Sequence, residues 1–208
     1  MRVEACVETL EECVLAQERG AQQLELCANL AEDGLTPSLD LVKQVLQKVS
    51  IPVKVMVRPR GGNFVYTEQE LAAMEGEIRA FRALPVAGLV LGVLKGDQTV
   101  DLKATRRLAQ SAGALSITFH KAIDRTPSPV EACQALLGIP EITHILSSGG
   151  ASTAWEGRIR LQEMIKLGAD QIQIIPAGKI VPHNLPELDA FLGAKTYHGR
   201  RILGSLEV

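Results

Sequence analysis

Aromatic residues are nearly missing from this chain: only 3% of its 208 residues are Phe, Tyr or Trp. Any core built from it is therefore aliphatic, and a hydrophobic content of 46% supplies enough Leu, Val, Ile and Ala for a large one. A dominant charge is lacking too. The net charge is −2, with acidic and basic residues mixed along the chain. This argues against nucleic acid as a partner and against a solvated acidic arm. No apolar run approaches the roughly 18 residues that cross a bilayer, so no membrane span is expected. The start, Met1-Arg-Val-Glu-Ala, has no basic segment leading into an apolar one. The four cysteines, Cys6, Cys13, Cys27 and Cys133, include no Cys-x-x-Cys pair. Without a signal peptide they are expected to be reduced thiols in a cytoplasmic protein. Also absent are G-x-G-x-x-G, a P-loop, H-E-x-x-H and G-x-S-x-G. Nicotinamide, nucleotide-hydrolysing, zinc-protease and serine-hydrolase chemistries lose their usual support.

What is present is alternation. Strand-like stretches fall at Arg2–Cys6, Gln22–Cys27, Val53–Val57, Ala87–Leu91, Ala114–His120, Thr143–Leu146, Gln171–Ile175 and Thr196–His198. Between them lie helical patterns at Leu10–Arg19, Ser38–Lys48, Glu68–Ala83, Thr99–Ala112, Ser128–Leu137, Ser152–Leu167 and Asn184–Leu192. Strands alternating with helices predict a parallel α/β sheet, and eight strands predict closure into a TIM-type (β/α)8 barrel. No Gly/Ser/Pro-rich linker divides the chain, so residues 1–208 read as one domain. The barrel is short at its end. Only Gly199–Val208 follow the last strand, too little for a full final helix. The short tail or another subunit is expected to cover the gap, the latter making a homo-oligomer.

Side chains on a strand alternate in direction. Strand one groups Arg2, Glu4 and Cys6; strand two Gln23, Glu25 and Cys27; strand three Lys54, Met56 and Arg58; strand five Ser116, Thr118 and His120. The opposite faces are aliphatic and should meet the helices, which turns the polar sets into the barrel. Barrel interiors are normally filled with bulky aliphatics. Charges there require pairing or a ligand. A buried ion network among Glu4, Glu25, Lys54 and Arg58 is one reading. A polar ligand or a metal at the strand tops is the other.

Active sites of such barrels lie at the C-terminal strand ends, where the candidates cluster. Cys6 and Cys27 end adjacent strands one β/α unit apart, on one rim. As thiolates they suit low-coordinate Cu(I) better than tetrahedral zinc, with Met56 a soft neighbour. As small buried hydrophobes they need no function. Arg58 and Arg60, in Arg-Pro-Arg-Gly-Gly-Asn-Phe64, read either as an anion clamp or as solvated arginines on a rigid loop. His120 is a candidate acid/base or metal ligand, with Asp124 or Glu4 to orient it, or else a structural histidine. Ser148 and Gly149 after strand six, and Gly178 and Lys179 after strand seven, offer a weak phosphate cradle. His198 ends strand eight at the same rim.

Taken together, these rim segments resemble the CutC family, named for copper homeostasis. The matching pieces are Glu4-Ala-Cys6, Gly20–Cys27 with its Glu-Leu-Cys ending, Leu35-Thr-Pro-Ser38, and Pro52–Gly62 with Arg-Pro-Arg-Gly-Gly. Thr118-Phe-His120 with Asp124, Ser148-Gly149 and His198 complete the set. The resemblance runs through almost the whole chain. It implies a TIM-type barrel, a cytosolic location, a tendency to oligomerise and a Cu(I) site at Cys6 and Cys27. The chain departs from the family pattern at Asp33-Gly34-Leu35, at Lys121 and Ile123, and at Ala177-Gly178-Lys179. The last of these weakens any backbone phosphate cradle.

Two functions of different class follow. One is a protein that binds Cu(I) through Cys6 and Cys27. The other is a barrel enzyme acting on a small anionic substrate. There Glu25, His120 and Asp124 would serve catalysis, and Arg58, Arg60, Ser148, Gly149, Lys179 and His198 would bind the substrate. A hard divalent metal at Glu4, Glu25, His120 and His198 is a variant of the second. A partner-binding scaffold is a third reading, and it leaves the charged interior unexplained.

Overall fold

Strands and helices alternate through residues 1–206, which the computed structural model describes. The order is β1 (Arg2–Val7), α1 (Leu10–Glu18), β2 (Gln23–Leu26), α2 (Leu39–Lys48), β3 (Val53–Met56), α3 (Glu68–Arg82), β4 (Gly88–Leu91) and α4 (Leu102–Ala112). It continues with β5 (Ser116–Phe119), α5 (Pro129–Leu136), β6 (Ile142–Ser147), α6 (Arg158–Gly168), β7 (Gln173–Pro176), α7 (Leu185–Leu192) and β8 (Thr196–Gly199). Short 3₁₀ turns at Leu30–Glu32 and Lys121–Arg125 were not foreseen. All strand pairings are parallel. The sheet runs β7-β6-β5-β4-β3-β2-β1-β8, so the TIM-type barrel is nearly closed, with its seam between β7 and β8. Gln173 Nε2 donates across that seam to Thr196 Oγ1 at 2.8 Å.

Local chemistry sets the helix starts. Thr9, Ser38, Thr67, Asp101 and Ser128 each accept a first-turn backbone N–H. Thr67 and Glu70 form a reciprocal capping box. Two helix starts correct the sequence reading. α4 begins at Leu102 rather than Thr99, because Asp101 caps it by accepting from the amide of Ala104 at 2.9 Å. α6 begins at Arg158 rather than Ser152, because the preceding segment is a turn whose Ala154 amide donates to Gly178.

The aliphatic strand faces do meet the helices. Leu24, Leu26, Val53, Val55, Ile117 and Phe119 are buried in one large core between sheet and helices. The inward faces hold a separate population. Glu4, Gln23, Glu25, Lys54, Thr118 and His198 are buried there, and Cys6, Cys27, Met56 and Val90 form a small apolar cluster of their own. No helix follows β8 among the described residues. Ile202 and Leu206 of the tail are buried, and Arg19 donates to the Ser205 carbonyl. The tail itself therefore packs where the eighth helix would lie.

Candidate functional site

The strand tops open onto a cavity of about 530 Å³. Cys6 reaches its floor from β1, and Cys27 follows β2. Their sulfurs are 4.0 Å apart. Glu25 Oε1 lies 3.8 Å from the Cys6 sulfur and 3.6 Å from that of Cys27. Gly34 lets the loop after β2 close over this pair. Its φ is +86°, and a Cβ there would sit 3.1 Å from the Cys27 sulfur. A hydrogen bond from Cys27 brings the Cys6 thiol down to about 6 against its burial, with His198 helping. The same contact, together with burial, holds Cys27 well above the ordinary thiol range. Burial pushes the Glu25 carboxyl up to about 8.

Beneath the floor the charges are paired. Glu4 takes His198 Nδ1 at 2.9 Å on one oxygen. On the other it takes Gln23 and, at 3.5 Å, the ammonium of Lys54. Lys54 in turn donates to Thr118 Oγ1 at 3.0 Å. Burial works against the Glu4 charge, but Lys54 and His198 outweigh it and bring the carboxyl to about 2. Burial likewise opposes charge on His198, yet Glu25, Cys6 and Glu4 hold it protonated. The expected ion network exists in part: Glu4 and Lys54 form it together with His198, while Glu25 and Arg58 make no ion pair among the described residues.

Arg58 lies at the cavity wall, 3% exposed. Its Nη1 donates to the carbonyls of Glu32 and Gly34 at 2.6 and 3.0 Å, and its Nη2 to that of Gly62 at 3.5 Å. The guanidinium sits 4.9 Å from the Phe64 ring centre. Among the described residues no carboxylate pairs with it. His120 packs on the same phenyl ring, 4.9 Å between centroids. It fits there because residue 92 is glycine: a Cβ would meet His120 Nδ1 at 2.5 Å. Burial, then the charge of Arg58, lower the imidazole to about 3. Glu25 Oε2, Arg58 Nε and His120 Nε2 are buried without a hydrogen-bond partner.

Several sequence candidates fall elsewhere. Asp124 does not orient His120, whose Nδ1 instead accepts the amide of Ala122 at 3.2 Å. Asp124 is taken up by the loop after β6. Its oxygens accept from Ser147 Oγ at 2.6 Å, the Ser148 amide at 2.9 Å, the Gly150 amide at 2.8 Å and Lys121 Nζ at 2.9 Å. Of the backbone donors proposed as a phosphate cradle, the Ser148 amide is thus filled by the protein's own carboxylate, and the Gly149 amide donates to Ser147 Oγ at 2.9 Å. Ser148 still lines the cavity, but its Oγ already accepts from Lys121 at 2.7 Å. Gly149 packs against the turn before α6, where a Cβ would meet the Gly157 carbonyl at 2.5 Å. Arg60 turns away and pairs with Glu70 at 2.5 Å while lying over Tyr66. Lys179 lines a different cleft, beside Trp155, His183 and Glu187. Sequence reasoning missed Phe64 and Gly92 as site residues. The rarity of aromatics was the available signal for Phe64; nothing marked Gly92.

A protein-family model described as the CutC family matches residues 1–203. A family protein CutC of Mesorhizobium japonicum is 39% identical over 196 residues, covering 94% of this chain and 76% of that protein. The copper homeostasis protein cutC homolog of Homo sapiens is 36% identical over 196 residues, covering 94% of this chain and 71% of its own. A crystal structure from Streptococcus agalactiae, named for the copper homeostasis protein CutC, aligns with a TM-score of 0.91. It is 32% identical and covers 97% of this chain and 99% of that one.

Proposed function

The chain belongs to the CutC family, and from that premise we propose that it holds one Cu(I) ion between Cys6 and Cys27. The carrying observation is the pair of buried sulfurs 4.0 Å apart, of which Cys6 lines the cavity. Metal–thiolate bonds of about 2.3 Å span such a gap with little movement of either strand. Soft thiolates select Cu(I), and two of them satisfy a low-coordinate ion where tetrahedral zinc would need further ligands. The acid-shifted Cys6 supplies the first thiolate, and loading the ion displaces the proton retained by Cys27. The carboxylates that looked unfavourable beside thiolates do not oppose this. Burial raises the Glu25 carboxyl to about 8, which weakens its negative charge near neutral pH, and the charge of His198 stands beside Cys6. A reducing cytosolic setting belongs to the same reading, since it keeps both thiols and the cuprous state.

The test is an anaerobic Cu(I) titration against a competing chelator. Wild type should take up one ion and release about one proton, and Cys6→Ser/Cys27→Ser should lose the site. Equal affinity in the double variant overturns the proposal.

A second reading rests on a different observation. The cavity is far larger than one ion needs, and three buried polar atoms of Glu25, Arg58 and His120 lack partners at its wall. This supports a barrel enzyme acting on a small anionic substrate, with Arg58 near the anion and Glu25 as the proton carrier. Asp124 leaves the catalytic set because its oxygens are committed. Screening a metabolite panel with wild type and Glu25→Gln tests this, and no turnover across the panel sinks it.

A further inference from the structure

Arg58 presents an unusual charge balance. A buried guanidinium is costly unless an anion or good hydrogen bonds compensate. Here its terminal nitrogens donate to neutral backbone carbonyls, its guanidinium faces the Phe64 ring, and its Nε has no hydrogen-bond partner. The side chain is anchored and oriented, while its charge goes unanswered by any carboxylate among the described residues.

His120, on the same phenyl ring, has its protonation pattern fixed by geometry. The Ala122 amide donates to Nδ1, so that nitrogen carries a lone pair. Burial and Arg58 keep the ring neutral. A neutral imidazole with an accepting Nδ1 carries its hydrogen on Nε2. His120 is therefore a donor, where the sequence suggested a base or a metal ligand.

Two unpartnered donors, one of them charged, match the two oxygens of a carboxylate. Phosphate would want more donors, and the Ser148 and Gly150 amides of the loop after β6 are already bonded to Asp124, that of Gly149 to Ser147 Oγ. The remaining wall is apolar at Leu30, Met56, Phe64 and Leu146. A volume of about 530 Å³ lies within the roughly 300–1,000 Å³ of small-molecule sites. Arg125 lines the cavity as well and favours an incoming anion, whereas Lys121 and Arg200 line it already paired with Asp124 and Glu8.

We propose that the cavity binds a small organic carboxylate, its oxygens held by Arg58 Nε–H and His120 Nε2–H and its hydrocarbon body laid against Leu30, Met56, Phe64 and Leu146. The inference deepens the second reading above by naming its ligand class. It shares only the premise that the cavity takes an organic anion. It uses different atoms from the copper site.

The test compares 3-methylbutanoate, 3-methylbutanamide and inorganic phosphate by calorimetry and by amide NMR shifts. The acid should bind wild type with a dissociation constant on the order of 1 mM or tighter. The uncharged amide should bind about tenfold weaker or worse, the loss expected for one charge-assisted contact, and phosphate should not displace the acid. His120→Gln keeps an N–H donor and should stay within about threefold of wild type. His120→Phe should lose about tenfold or more at an unchanged melting temperature. Equal binding of acid and amide, undiminished binding by His120→Phe, or no acid binding at all each overturns the proposal. Should His120→Phe fail to fold, the acid–amide pair on wild type still decides. The acid should bind equally with and without a Cu(I) chelator present, which separates this outcome from copper. Acid binding without turnover would remove the enzymatic reading and leave the carboxylate site standing.

Discussion

The middle of the barrel and its rim are built from the same strands, one or two inward positions apart, and they differ in completeness. In the middle, Glu4, Gln23, Lys54, Thr118 and His198 satisfy one another. At the rim, Cys6, Glu25, Arg58 and His120 are equally buried, yet three of them keep a polar atom without a partner. Burial of charge alone therefore does not separate a structural network from a binding site. Unmet hydrogen-bonding capacity does. A closed network holds strands in register, whereas an open one waits for something to complete it.

The largest test of this contrast is Lys54→Met. It removes the ammonium beside Glu4 while filling much of the same volume, and it leaves a buried carboxylate short of a counter-charge. Losing one partner of such a pair costs about 3–5 kcal/mol. Urea unfolding at neutral pH should show that loss, and adding Glu4→Gln should recover part of it. The rim comparison is Cys6→Ser, a near-isosteric change that should cost about 1 kcal/mol or less. Similar losses at the two levels would break the distinction.

A smaller effect concerns pH. His120 titrates near 6.5 when unfolded and at about 3 in the fold, because burial and then Arg58 oppose its charge. Between those values the unfolded chain binds a proton that the native one refuses. Stability therefore falls as pH falls through this window, by up to about 1.4 kcal/mol per unit from this group. Other groups titrate there too, so the useful quantity is wild type minus His120→Gln. Above pH 6.5 the difference should be flat, and below it the variant should gain on wild type. A difference constant down to about pH 4 would show that His120 is more solvated than the rim geometry requires.

Much of this was legible beforehand, and the reason is periodicity. Polar and aliphatic residues alternate on β1, β2, β3 and β5, and alternation fixes direction. The barrel, the inward polar sets and the shared rim of Cys6 and Cys27 all follow from that. What was not legible depends on contacts between distant segments. Asp124 reads as a partner for His120 in sequence, but the chain turns it towards the amides of Ser148 and Gly150. The room for the His120 ring comes from Gly92 on the neighbouring strand, which looks like any other glycine. Short 3₁₀ turns were also invisible, since so few residues carry no period.

The two arginines of Arg-Pro-Arg sharpen the comparison at its smallest scale. Sequence treats Arg58 and Arg60 alike. In the fold Arg58 is buried against three carbonyls, while Arg60 is 39% exposed in its side chain and has Glu70 as its counter-ion. A half-exposed ion pair is worth at most about 1 kcal/mol, so Arg60→Ala should cost no more than that in urea unfolding. It should leave binding of both Cu(I) and 3-methylbutanoate within experimental scatter, because an arginine already paired with a carboxylate has little charge to lend. If Arg60→Ala weakens the acid as much as His120→Phe does, the anion is held by the whole loop, and the distinction between paired and unpaired side chains fails at the point where it should be simplest.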